Sequence, residues 1–524
     1  MALQEDYLIT AVHLVTIYFS LVLCRWAYRL SPLHPLASYP TPSRLASISR
    51  WYEFYRNVIQ DGKFLFEIEK WHEEYGPIIR IGPNELSIND PDFYNTLYAA
   101  NYKFAAYPPH YGYGGSVDVT VTITDPVIHK SRRAIWNRFF SKTQIQNLND
   151  IIQDNIRKLT EVITEYAGIQ AAGVPMSVLF RCLTLDTISE YAFSESLNTL
   201  RHGCDSPIAE GIRRTVAHVW LFNFIWPFQY LATMLPYNVA SLVIPKSLSG
   251  LVDLQKVVGA QVDDVVQTLM SPTRQEKMRQ RGANSNQATI FQYLLDGTTP
   301  RLSGKPVSAL KFTRDTLVGE AMMLLGAAME TTASLLANAI YQASIDQLIQ
   351  HRIHNELLQA FPNKSFNDID PDICERLPYL TAFIKENLRF TPASPGRSPR
   401  IVPKDGTFCG NTYIPPDTVV SMSIYLMHHN ATVYTNPKVF DPDRWLDVAA
   451  TSPQERYFVP FSKGSKSCFG IYLAYAEIYG TLAALFRRFK FTLHKDNQFT
   501  EKWVDYMILD NQADLVVSVE EYDH

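Results

Sequence analysis

Six cysteines stand at positions 24, 182, 204, 374, 409 and 468. One of them, Cys468, sits in a setting suited to chemistry. Residues 461–470 read Phe-Ser-Lys-Gly-Ser-Lys-Ser-Cys-Phe-Gly and run into the apolar stretch Ile-Tyr-Leu-Ala-Tyr-Ala-Glu. Gly464 and Gly470 bracket the cysteine, so the backbone can turn tightly and approach a flat ligand closely. The helix that follows presents free N–H groups and the positive end of its dipole, which favour a thiolate. Three uses of such a cysteine compete: a buried structural residue, a nucleophile, or a metal ligand. As a ligand, a thiolate pushes electron density onto a bound iron and favours O–O cleavage. No C-x-x-C pair occurs, which argues against a zinc or dithiol site.

Two further groupings stand out. In Lys385-Glu-Asn-Leu-Arg389, Glu386 and Arg389 are three apart on an expected helix and share one face. Left to spacing alone, this is an exposed pair worth a few tenths of a kcal/mol at most. In Gly326-Ala-Ala-Met-Glu-Thr-Thr332, a glycine, an acid and two threonines interrupt a long apolar pattern. The plain alternative there is a solvated turn of an amphipathic helix.

The elements that must position these residues are mostly helical. Apolar residues recur at three- and four-residue spacing over 142–165, 176–198, 250–270, 312–342 and 377–390. A last helix is expected from Cys468 to about Phe486, with strand-like alternation after Phe489. Residues 77–83 and 85–88 read as two short strands around a Gly-Pro turn. The polar stretch 272–286 reads as a mobile loop. Tyr7 to Leu23 holds no charged residue, and with Trp26 to Leu30 it approaches the ~20 residues that span a bilayer. Glu5 and Asp6 precede it while Arg25 and Arg29 follow, which places the remaining chain in the cytosol. Residues 1–30 are therefore expected to be a membrane anchor, 31–50 a proline-rich hinge, and 51–524 the catalytic domain. The 524 residues carry 48 basic and 52 acidic side chains, so nucleic acid is not an expected partner.

The cysteine string resembles the pattern F-x-x-G-x-R-x-C-x-G of the cytochrome P-450 family. Phe461, Gly464, Cys468 and Gly470 match, and Lys466 stands where the family has arginine, keeping the charge but losing the bidentate fork. The resemblance implies a mainly α fold with a smaller β region, carrying haem b with Cys468 as its axial iron ligand. It implies a buried structural triad of Glu386, Arg389 and Arg444, the last from Phe440-Asp-Pro-Asp-Arg-Trp445. Over the haem, Thr331 would hydrogen-bond dioxygen and Glu330 would help relay protons, with Ala328 in place of the family's glycine. His129 and Arg133, together with Arg400, take the positions that bind haem propionates, and Phe461 and Lys466 complete the cofactor contacts. Electrons would come from NADPH through a separate reductase, because no flavin or dinucleotide fingerprint occurs here; cytochrome b5 is a further candidate partner. The family's microsomal members imply a single-pass protein of the endoplasmic reticulum. Val219 to Leu231, Tyr107 to Val119, Met329, Ser394 to Ser398 and Tyr506 to Ile508 are expected near a lipophilic substrate. The wording around Arg80-Ile-Gly-Pro-Asn-Glu-Leu-Ser-Ile is similar to filamentous-fungal members, including trichodiene-oxygenase-like enzymes. That implies oxidation of a terpenoid or other lipophilic skeleton in a biosynthetic pathway. The rivals are a rearrangement, dehydration or coupling without net hydroxylation, and a non-catalytic haem sensor.

Overall fold

The core is organised around one long helix, Arg314–Ile345, capped by the Thr313 side chain, which accepts from Thr316 N. Its 32 residues extend about 48 Å. Apolar residues surround it on nearly every face, so it can be stable only inside the protein. Met176–Phe193 packs along it and is likewise buried on most sides. Asn149–Ala167, Pro378–Phe390 and Ile471–Arg488 close the main apolar cluster around the pair. The computed structural model describes residues 2–111, 119–168, 173–193, 195–201, 206–225, 235, 239, 250–270, 290–295, 312–362 and 369–522. The expected loop at 272–286 lies outside these residues.

The smaller β region holds a five-stranded sheet. Ile78–Gly82 and Glu85–Ile88 form the expected antiparallel hairpin, with Ile78 opposite Ile88. Glu85–Ile88 then runs parallel to Val419–Ser421, which pairs antiparallel with Arg400–Ile401. Ala105–Ala106 completes the far edge. A second sheet joins Val174–Pro175, Val516–Glu521 and Phe489–Leu493.

The expected helix over 142–165 is two helices, Lys142–Gln146 and Asn149–Ala167. Asn147 stands at the break; asparagine competes with a helix by bonding its own backbone. The helix expected over 176–198 stops at Phe193. At the N-terminus, Ala2–Leu30 is one helix, and its stretch Thr10–Leu30 is apolar enough to cross a membrane and is not buried. The proline-rich segment behind it is packed rather than free. Leu36 is fully buried, Arg80 N donates to the Pro40 carbonyl at 2.8 Å, and the Arg80 side chain reaches the Arg29 carbonyl at the end of the first helix at 3.0 Å.

Candidate active site

The cysteine loop is built to one shape. Gly464 has φ +75°, and a Cβ there would lie 2.1 Å from the Tyr98 carbonyl oxygen, so no other residue fits. Ser467 N donates to Gly464 O at 3.2 Å and Cys468 N to Phe461 O at 2.9 Å, closing the loop on itself. Gly470 then opens the helix Ile471–Arg488. Burial pushes the Cys468 thiol up, and the Gly470 N–H and Arg133 act against that shift. The side chain is nevertheless accessible. A thiol that is both desolvated and accessible borders an interior space.

The central helix has a matching irregularity. Met329 and Glu330 are buried, while Ala327 is exposed and Thr331 half-buried in the middle of an otherwise enclosed helix. The Thr331 hydroxyl donates to Ala327 O at 2.7 Å. The adjacent Thr332 bonds Glu477 on the cysteine helix, so the two helices meet beside this opening.

Four cationic or ionisable side chains gather on one side of the cysteine loop. Arg133 donates to Ser467 Oγ at 3.2 Å. Lys466 Nζ donates to Val121 O at 3.0 Å and lies 4.9 Å from the Tyr111 ring. Arg400 donates to the Tyr111 hydroxyl at 2.9 Å. His129 Nδ1 is 3.2 Å from the Tyr102 hydroxyl. Burial first, then Arg400 and Arg133, pulls Lys466 down to about 7. Burial, Lys466, Arg133 and Arg400 pull His129 down to about 3. Among the described residues no carboxylate acts on either group. Such a cluster suits the anionic groups of a ligand. An accessible thiol next to it fits a flat metal cofactor that carries acidic arms.

The triad residues are brought together, Glu386 and Arg389 fully enclosed and Arg444 half-buried at their edge. Glu386 Oε1 accepts from Arg389 at 2.7 Å, from Asp441 N at 2.8 Å and from Arg444 Nε at 3.4 Å. Its Oε2 accepts from Arg389 Nε at 2.8 Å and from Trp445 Nε1 at 2.9 Å. Both Glu386 and Arg389 have no exposed side-chain surface, so the reading as an exposed pair does not apply. Trp445 is a member that spacing did not single out, although it closes the quoted Phe440 to Trp445 string.

Glu330 does not share Thr331's partners. Its Oε2 accepts from Arg181 Nε at 3.2 Å, and Arg181 NH1 also reaches Asp514 Oδ1 at 2.6 Å. Burial raises the Glu330 carboxyl against the pull of Arg181. Asp514 is itself 3.7 Å from the half-exposed Arg213, so a charged path runs from Glu330 outward. A lone arginine within the apolar helix Met176–Phe193 was the signal for Arg181. Phe461 packs on Tyr475 at 5.1 Å between ring centres, behind the loop. Of the expected substrate contacts, 112–118 and 226–231 fall outside the described residues; Tyr506 packs with Trp220, which donates to Asp505 O.

A model of the cytochrome P-450 family matches residues 48–515. The chain belongs to the cytochrome P-450 family. It is 33% identical over 468 residues to a tryptophan 6-hydroxylase of Fusarium equiseti, covering 88% of this chain and 86% of that one. It is 33% identical over 484 residues to a conidiogenone synthase of Penicillium rubens, covering 91% of each. A cytochrome P-450 monooxygenase of Sordaria araneosa is 33% identical over 501 residues, 94% of each chain. This cytochrome is thus an oxygen-incorporating oxidoreductase whose relatives include fungal secondary-metabolite enzymes. Membership implies a haem, a redox partner and a small-molecule substrate. The accessible thiol and its cationic neighbours are the features here that suit a haem and its two propionates.

Proposed function

We propose that this cytochrome is a membrane-anchored haem-thiolate monooxygenase that oxidises a lipophilic small molecule in a fungal biosynthetic pathway. The observation that carries the reading is Cys468, desolvated yet accessible, beside four cationic or ionisable groups, with no carboxylate among the described residues acting on His129 or Lys466. Cys468 would hold the iron, and its raised pKa means that binding the metal must displace the thiol proton. Arg133, Arg400, His129 and Lys466 would hold the propionates. Haem, when bound, supplies dioxygen activation and the oxidation of the substrate.

The chain's own residues then manage water and protons. Thr331 holds its proton toward Ala327 O in the resting arrangement and can turn it toward the opening. Glu330 places a buried carboxyl, raised by burial, in contact with solvent through Arg181 and Asp514, where it can take up and pass on a proton. The Glu386 network holds the segment 435–445 against the helix Pro378–Phe390, fixing the frame behind the cysteine loop. NADPH electrons through a separate reductase, with cytochrome b5 as an auxiliary donor, complete the reaction. Residues 1–30 would anchor the protein in the endoplasmic reticulum, 31–50 would be a proline-rich connection held against the body rather than a free hinge, and 51–524 would be the cytosolic catalytic domain.

The substrate skeleton is proposed as a terpenoid or another apolar natural product. One relative is a conidiogenone synthase and another a tryptophan 6-hydroxylase. Two measurements test the reading. The reduced, haem-loaded protein with carbon monoxide should give the absorption band that names the family, and Cys468→Ser should abolish it. Expression in a fungal host with a matched reductase, followed by metabolite profiling, should yield an oxidised apolar product. A thiolate band without any NADPH-dependent product would instead support a sensor.

A further inference from the structure

Glu320 lies on the central helix eleven residues before Thr331, which is about three turns away on the same face. It is 3% exposed. Its Oε1 accepts three hydrogen bonds: Thr120 N at 2.7 Å, Thr120 Oγ1 at 2.6 Å and Arg132 NH1 at 3.2 Å. The Thr120 hydroxyl is engaged on both sides, since it also accepts from Trp136 Nε1 at 2.9 Å. Trp136 then stacks on Phe469, with ring centres 5.5 Å apart and planes 20° from parallel. Phe469 is the residue after Cys468. A continuous chain of contacts thus runs from the central helix to the cysteine.

The strap formed by residues 119–123 is gripped from its other side by the cysteine loop itself. Lys466 donates to the carbonyls of Val121 at 3.0 Å and Ile123 at 2.5 Å. Lysine's three protons on a flexible stem allow this, whereas arginine's planar fork favours a paired acid. The departure at 466 therefore has a structural use: it ties the strap to the loop that Glu320 reaches through Trp136.

We propose that Glu320 is a positioning residue for the thiolate, setting through Thr120, Trp136 and Phe469 where Cys468 presents its sulfur. This rests on the assignment of Cys468 as the iron ligand. Weakening the chain should let the sulfur leave the iron more readily, without disturbing distant structure.

The test follows the carbon monoxide complex of the reduced, haem-loaded protein. The rate at which the thiolate band converts to the band of the thiolate-free form is measured under mild denaturant, alongside helix content. Glu320→Gln keeps an acceptor oxygen but removes the charge facing Arg132. Thr120→Val keeps the shape and removes the hydroxyl, and Thr120→Ser restores it. Asp186→Asn is the control: Asp186 is a buried carboxylate that accepts from Thr199 N at 2.7 Å and Leu200 N at 3.1 Å, outside this chain of contacts. Glu320→Gln and Thr120→Val should speed conversion about tenfold, with Thr120→Ser and Asp186→Asn near the unaltered rate. Conversion of both variants at the control's rate, at matched helix content, overturns the proposal. If Glu320→Gln does not accumulate, Thr120→Val decides. Absence of any thiolate band in the unaltered protein would overturn the ligand assignment, and this inference with it, and is readily distinguished from the first result.

Discussion

A carboxylate in an apolar interior either finds a cation or keeps its proton. Glu330 and Asp505 answer this in different ways, and each answer is measurable. Glu330 has Arg181, but Arg181 is shared with Asp514, and burial still raises the Glu330 carboxyl. Glu330→Gln keeps the shape and cannot give up a proton. Its expected effect is about a hundredfold loss of NADPH-supported turnover, the usual scale for a proton-transfer group. The carbon monoxide band should be retained, since the residue touches no part of the cysteine loop in the hydrogen bonds described. Asp505 shows the pH side of the same rule. Burial raises its carboxyl to about 6, against the Met507 N–H and Arg397. A raised carboxyl favours the folded state while protonated, so this contribution is full below about pH 4 and is lost as pH rises to about 6. Asp505→Asn should remove that slope and add ~2 kcal/mol at neutral pH. Urea unfolding at pH 4 and pH 7 checks it: equal gains at both would refute the assignment.

At the scale of elements, the Glu386 network decides how the segment 435–445 lies on the helix Pro378–Phe390. Five donors converge on two buried oxygens, and Arg389 spends its remaining protons on the carbonyls of His428, Pro437 and Val439. Glu386→Gln would leave two guanidinium groups facing one neutral amide inside the protein. Breaking a buried pair in this way costs about 3–5 kcal/mol. The expected outcome is haem-free, aggregation-prone protein at growth temperature and partial recovery of haem content on expression in the cold, measured as haem per chain. The network was legible in the sequence because local strings carry it: Glu386 with Arg389, and Arg444 within Phe440 to Trp445. The cysteine loop was legible for the same reason, its glycines and cysteine being close along the chain. Glu320, Arg181 and Trp136 were not. Their partners lie 200, 333 and 16 residues away in sequence, and no local pattern links an acid on one helix to a threonine on a distant strap. The helix break at Asn147 was missed because apolar spacing continues through it while the backbone does not.

At the scale of the whole molecule, the question is which surfaces could hold the protein at a membrane. The apolar stretch Thr10–Leu30 is one candidate, and its last turn is tied to the body by the bond from Arg80 to Arg29 O. A second apolar surface lies just beyond it. Leu45, Trp51 and Ile59 are 63%, 65% and 63% exposed, and Tyr55 continues the row. Trp51, Tyr55 and Ile59 are four residues apart, so they line one side of the short helical segments that carry them. Large apolar side chains in a row at this exposure suit a lipid surface better than water. Removal of residues 1–30 should therefore release only part of the protein from membranes. The truncated chain should still bind phosphatidylcholine vesicles in a flotation assay, and salt should not displace it, because the contact is apolar rather than ionic. Replacing Trp51, Tyr55 and Ile59 by serine in the truncated chain should leave it in the soluble fraction with its carbon monoxide band intact. Complete release by truncation alone would assign all membrane attachment to the first helix.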